Sequence, residues 1–380
     1  MLVEKAAGEQ FDLVQLLVVA VTPAFLISAA ICFLIIKFER FHSRFTHDTH
    51  DGPQKFHVVP TARIGGLGLA AGVVLVYGLL QGRYVEESRF FGLLLLASIP
   101  AFMGGLVEDM TKRVSVMTRL VLSMVSAVLA SVMLGATVLE FDILGLTLHF
   151  HPFFAIMLTA FAVSGATNAV NIIDGYNGLA SGVGIIVLTA LAIVALANQD
   201  FAVMFAALAM VGALVGFLVF NWPGGKIFLG DGGAYLLGVW ISELCILLVT
   251  RNPGVSIWFP LLLMIYPVYE TLFSIFRRRY IRKQHPGHPD RSHLHQLVYS
   301  RLIRGHLGCK QPSSVIRRNS RVVFYFWPSC AFLAVFGVIC VDKPLWLQFG
   351  VLVYCLAYTW LYFTLLAHRA PRFMRARVVW

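Results

Sequence analysis

Long apolar stretches separated by short polar ones dominate this 380-residue chain. A helix needs roughly 20 apolar residues to cross the hydrocarbon core of a bilayer. Eleven stretches approach that length: 13–36, 64–80, 90–107, 120–139, 152–173, 179–197, 201–220, 232–250, 254–276, 322–341 and 344–367. Each predicts a membrane-spanning helix. The expected fold class is an all-α polytopic membrane protein of eleven transmembrane helices, one membrane-embedded domain over residues 1–380 that contains a polar loop at 277–321. No internal repeat divides it. One polar interval has its own pattern: Leu139–Phe150 (LEFDILGLTLHF) alternates apolar and polar residues around Gly145, which predicts a small β-hairpin.

Composition agrees with the pattern. Apolar residues make up 58% of the chain and charged residues only 13%, about half the charged share usual in soluble domains. The formal net charge of +11 points to anionic partners, either lipid headgroups or phosphorylated substrates. Basic residues also orient the spans, because cytosolic loops collect them. With the N-terminus extracytoplasmic and the C-terminus cytosolic, every Lys and Arg except Lys5, Arg83, Arg89, Arg251 and Lys343 falls on the cytosolic side. The hairpin is then extracytoplasmic. Glu4, Glu9 and Asp12 stand where a signal peptide would carry positive charge, so none is expected. Of the six cysteines only Cys309 lies outside an apolar run and none has C-x-x-C spacing, so they read as small buried hydrophobes.

In that orientation the costly residues gather at the cytosolic ends of the spans. A carboxylate at the centre of a membrane helix costs about 2.5–3.5 kcal/mol, so such a gathering has a reason. Glu108 and Asp109 close the third span, Asn168, Asn171 and Asp174 close the fifth, and Asp231 opens the eighth. The loop 277–321 holds Asp290, Arg291, His293 and His295. In the run Asn168 to Gly178, spacing of three puts both amides and Asp174 near one helical stripe. Gly175 and Gly178 let the backbone approach a ligand there, although a polar helix end with a glycine cap looks similar.

Glycines flanking Asp231 expose N–H groups and leave room for a phosphate or a hydrated cation, as an ordinary turn also would. The pair Glu108-Asp109 suggests a divalent ion, yet adjacent helical side chains diverge by about 100°. A solvated helix end paired with Lys112 or Arg113 is the alternative. His293 and His295 share a face only on extended backbone. Zinc would need further ligands such as His285 and His288, and imidazole contact with phosphate suits the basic surroundings better. Before the second span, Lys55, His57 and Arg63 offer donors beside Gly65 and Gly66, with positive-inside topology and close helix packing as the alternative.

Taken in order, these motifs resemble the polyprenyl-phosphate N-acetylhexosamine-1-phosphate transferases, the superfamily of the bacterial WecA, TagO and MraY enzymes. The most specific element is NAVNIIDGYNGLASG at 168–182, and the motifs run from Lys55 to His295. The resemblance implies an active site facing the cytoplasm from a bacterial plasma membrane. It implies a UDP-linked N-acetyl sugar and polyprenyl (undecaprenyl) phosphate as substrates, UMP as product, and Mg²⁺ as cofactor with Mn²⁺ the alternative. A homodimer is compatible with it. By motif position, Glu108, Asp109, Asp174 and Asp231 match the catalytic acids, with Asp231 the metal ligand and Asp109 a second candidate ligand. Lys55, Arg63, Asn168, Asn171, Asn177, Phe228, Arg291, His293 and His295 match substrate-binding positions, Lys55 for phosphate and Phe228 for uracil stacking.

Three positions depart from the family pattern. Glu108 stands where Asp is commoner, Asn177 replaces an aspartate, and Gln296 replaces a third histidine. The last favours the WecA-like branch. The expected reaction is transfer of a sugar-1-phosphate, which would begin a lipid-linked glycan of the cell wall or lipopolysaccharide. A secondary transporter or lipid flippase is the rival reading, but it would place charged sites near the bilayer midplane within inverted repeats. No nucleic acid partner is expected.

Overall fold

A computed structural model describes residues 17–46, 61–281, 283, 292–303 and 312–368. A π-helical turn, Leu17–Val21, leads into α1 (Thr22–Lys37) and then the short α2 (Glu39–Thr46). The helices α3 (Gly66–Leu80), α4 (Val85–Thr111) and α5 (Val116–Leu134) follow. Strands β1 (Glu140–Ile143) and β2 (Leu146–His149) come next. After them run α6 (Pro152–Ile173), α7 (Leu179–Ala197), α8 (Phe201–Asn221) and α9 (Gly230–Arg251). The chain continues with α10 (Trp258–Leu263), α11 (Ile265–Phe276) and the short α12 (Leu294–Val298). It ends with α13 (Pro312–Ser320), α14 (Val323–Ile339) and α15 (Pro344–Leu366).

Every predicted span is helical, but the spans differ in kind. Among the described residues nine helices are long and apolar enough to cross a membrane. Two of the eleven expected runs fall short. The helix α3 has only 15 residues, and the run 254–276 breaks at Met264 into α10 and α11. The cause of the break is local: Pro267 has no N–H to donate to the carbonyl of Leu263, four residues earlier. The hairpin forms as predicted, with Glu140 opposite His149 and Ile143 opposite Leu146. Its turn residues Leu144 and Gly145 both have positive φ, 51° and 83°, as a two-residue hairpin turn requires.

The centre of the bundle is α9, which packs against α3, α4, α5, α6, α7 and α8. Its apolar window is 89% buried, against 17% for α15 at the periphery. Its far end is tied down by Arg251, whose Nε and Nη2 reach the Asp200 carboxylate at 2.7 and 3.0 Å. Outward-facing Phe33, Leu96, Phe161, Phe332 and Trp360 are more than half exposed or close to it. A surface so apolar is unstable in water and is matched by lipid. The chain is a multi-pass membrane protein.

Candidate active site

The first turn of α9 is the hub of the site, and glycines make it one. Gly230 enters the helix with φ +76°, a left-handed conformation that a side chain would strain. Where α4 crosses, a Cβ on Gly105 would lie 2.5 Å from the carbonyl carbon of Asp231. Three helices can therefore bring their ends to within hydrogen-bond reach of this one turn. The segment before α3 is stitched to it by the backbone: Phe228 N donates to Ala62 O at 2.9 Å, Gly65 N to Phe228 O at 3.0 Å, and Gly66 N to Leu229 O at 2.9 Å.

Asp109, at the end of α4, caps that turn. One carboxylate oxygen accepts the N–H of Asp231 at 2.9 Å and the other accepts the N–H of Gly232 at 2.8 Å. These are donors that a helix N-terminus otherwise leaves unpaired, and the helix dipole favours the negative charge there. Asp109 is 1% exposed. Its neighbour Glu108 turns the other way, as adjacent helical positions must. It accepts the backbone N–H of Val114 at 2.7 Å, within its own loop. Of the two acids, only Asp109 faces the hub, and it does so as a support behind Asp231.

Asp231 is the group around which charges converge. Its Oδ2 pairs with the Arg119 guanidinium and its Oδ1 accepts from Asn171 Nδ2 at 2.9 Å. Arg63 Nη2 stands 3.6 Å from Asp231 and 3.8 Å from Asp109. Arg119 is 9% exposed, packs over the Tyr235 ring, and comes from the start of α5. Sequence reasoning missed it, having counted Arg119 only as one more cytosolic cation. Its signal was a lone Arg immediately before the apolar run 120–139, where a charge entering the bundle needs a partner.

Asn168 accepts from the Tyr235 hydroxyl at 3.3 Å. Together with Asn171 it lays the end of α6 along the start of α9, as the three-residue spacing predicts. Asp174 caps α6, is half-buried, and has no hydrogen bond to its side chain among the described residues. Burial first, then the Asp231 and Asp109 carboxylates, push its carboxyl well above the usual range, with Arg63 opposing. Asn177 stands apart from the acids. Its backbone N–H donates to Asn319 Oδ1 at 2.8 Å, and its side-chain amide to Ser320 Oγ at 3.2 Å, so it latches the turn after α6 to the end of α13. Phe228 is half-buried and contributes the backbone stitch described above.

The histidine segment forms a second cluster. His293 precedes α12 with extended backbone (φ −65°, ψ 151°), so its ring lies parallel to that of His295, centroids 5.3 Å apart and planes 5° off. This meets the condition that the two share a face. Tyr176, two residues after Asp174, sets its ring edge-on to His295 at 5.6 Å and joins the clusters. Burial pushes His295 down to about 3, so its imidazole is neutral. Lys55 and Arg291 lie outside the described residues.

No group of three or more His, Cys, Asp or Glu side chains among the described residues is placed to hold a metal ion by itself. Mg²⁺ does not ask for one, because it keeps several waters and binds through one or two carboxylates plus substrate phosphates. Asp231 and Asp174 supply hard oxygen donors of that kind, and the open carboxylate of Asp174 fits such an ion.

Comparison with known proteins matches residues 91–249 to the family described as Glycosyl transferase family 4. A probable undecaprenyl-phosphate N-acetylglucosaminyl 1-phosphate transferase of Bacillus subtilis is 32% identical over 64% of this chain and 66% of its own length. An undecaprenyl-phosphate alpha-N-acetylglucosaminyl 1-phosphate transferase of Thermotoga maritima is 32% identical over 58% of this chain and 64% of its own. A phospho-N-acetylmuramoyl-pentapeptide-transferase of Bacillus cytotoxicus is 30% identical over 62% of this chain and 76% of its own. The matched stretch thus spans slightly less than two thirds of the first two relatives.

Proposed function

This chain belongs to glycosyl transferase family 4, and from that premise we propose that it transfers a sugar-1-phosphate, an N-acetylhexosamine-1-phosphate, from a UDP-sugar to polyprenyl phosphate, releasing UMP. The observation that carries the reading is the convergence on one helix turn of Asp231, Asp109, Asn171, Arg119 and Arg63, with Asp174 open beside them. A site that joins two anionic phosphates needs acids able to hold a cation and guanidinium groups able to hold phosphate oxygens. The excess of Lys and Arg in the loops at that end of the bundle supports a site that faces the cytoplasm from a bacterial inner membrane.

The lipid phosphate has a second pKa of about 6 and is mostly dianionic at neutral pH, so attack requires no strong base. Its oxygen bonds to the β-phosphorus as the bond to the UMP oxygen breaks, and UMP leaves with the electron pair. Asp231 and Asp174 would hold Mg²⁺, which would supply charge neutralisation of the pyrophosphate and of the leaving group. Arg63, half-buried between Asp109 and Asp231, orients a phosphate oxygen. Arg119 fixes the rotamer of Asp231, and Asp109 fixes the backbone that carries it. Phe228 offers its ring to the uracil, and His293 and His295 contact phosphate from the second cluster.

Purified protein in detergent, given polyprenyl phosphate, Mg²⁺ and each of several UDP-sugars, should yield one lipid product heavier by a sugar phosphate. No mass-shifted lipid with any UDP-sugar would reject the reading.

A further inference from the structure

Outside the acid hub, one buried carboxylate has no place in the reaction described so far. Glu270 lies on α11, 1% exposed. Its Oε1 is 2.9 Å from His293 Nδ1, and its Oε2 is 3.8 Å from His295 Nδ1. The N–H of Leu294, between the two histidines, donates to the same carboxylate at 3.2 and 3.1 Å. The Tyr266 hydroxyl, one turn earlier on α11, lies 3.4 Å from His295 Nδ1. Arg277 closes the arrangement by donating to the carbonyl of Ser292 and to the Tyr362 hydroxyl.

We infer that Glu270 is the positioning residue of the histidine pair: its carboxylate bonds His293 Nδ1 directly and, with the Tyr266 hydroxyl, faces the Nδ1 edge of His295, so that both Nε2 atoms turn together towards substrate. The rings are parallel within 5°, so a common anchor on one edge sets a common direction for the other. Among the described residues neither Nε2 has a hydrogen-bond partner, and neither is a sealed buried atom. Burying a carboxylate costs several kcal/mol unless donors surround it. A loop that needed only to be held could be held by apolar packing at less cost. What the carboxylate adds is a fixed tautomer: an imidazole whose Nδ1–H donates to it keeps Nε2 as the nitrogen free to meet a ligand. The inference rests on the transferase reading for the identity of that ligand, but not for the geometry.

Two measurements test it separately. Imidazole ¹⁵N spectra of the intact protein, assigned with His293→Asn and His295→Asn, should show the His293 proton on Nδ1. Glu270→Gln should move part of the His293 proton population to Nε2, because a neutral amide oxygen is a weaker acceptor than a carboxylate. A wild-type His293 with its proton on Nε2 would overturn the inference by itself. In the UMP-release assay, Glu270→Gln should lower kcat by about 10- to 100-fold, the usual effect of removing a partner that orients a ligand imidazole. Glu270→Asp should recover part of the loss. In the His293→Asn/His295→Asn background, Glu270→Gln should cost little more, and a full additional loss there would contradict action through the histidines. If wild-type protein releases no UMP, the transferase reading fails while the spectra still decide the role of Glu270.

Discussion

Asp109 and Asp231 meet through the backbone: the carboxylate of one accepts the N–H of the other at 2.9 Å and that of the next residue, Gly232, at 2.8 Å. A hydrogen bond to a charged group contributes about 1.5–3 kcal/mol, so Asp109→Ala should lower Tm markedly and turnover with it. Asp109→Asn keeps one acceptor and should fall between. An Asp109→Ala protein with wild-type Tm would show that the cap does not hold α9.

Arg119 and Asp231 form a pair whose members should be separable. Removing one partner of a buried ion pair costs about 3–5 kcal/mol because the other charge is stranded. Arg63, 3.6 Å away, softens that for Asp231. Asp231→Asn should abolish turnover and lower Tm, and adding Arg119→Gln should restore Tm without restoring turnover. Thermal unfolding in detergent beside the activity assay checks both halves.

Much of this site was legible in the sequence, in a particular sense. The acids and amides at 109, 168, 171, 174 and 231 stood out because polar side chains are costly within the bilayer and these gather at one set of span ends, and the structure brings them together. Geometry decided the rest. Spacing alone does not say that Asn177 turns towards Asn319 and Ser320, since those contacts join positions over 140 residues apart. Nor does it say that Glu108 and Asp109 divide into a loop contact and a helix cap. Arg119 escaped because a single basic residue near a loop resembles ordinary topology until its partner is seen. The break at Met264 was readable from Pro267, but an apolar run reads as one span whether or not it bends.

Asp174 gives a pH-dependent prediction. Burial, with the nearby Asp231 carboxylate, raises its carboxyl well above the usual range in the folded protein. An acid whose folded value exceeds its unfolded value of about 4 destabilises the fold wherever the unfolded chain would ionise, so the cost is absent below about pH 4 and grows as pH rises. Asp174→Asn should therefore unfold at higher temperature than wild type at pH 7, with the gap closing near pH 4, while turnover falls. A gap equal at both pH values would contradict this cause.

Gly105→Ala should disable the enzyme without touching a charged residue. The added Cβ would sit 2.5 Å from the carbonyl carbon of Asp231, forcing α4 and α9 apart. Overpacking of this kind costs about 1–3 kcal/mol, and the hub acids would lose register. Wild-type kcat in this variant would mean the approach of the two helices is not required.

The most direct test of the account is UMP release by purified protein with UDP-sugar and Mg²⁺, measured with and without polyprenyl phosphate. The account predicts release only when the lipid phosphate is present, and none from Asp231→Asn. Release at the same rate without the lipid, or from the Asp231→Asn protein, would contradict it.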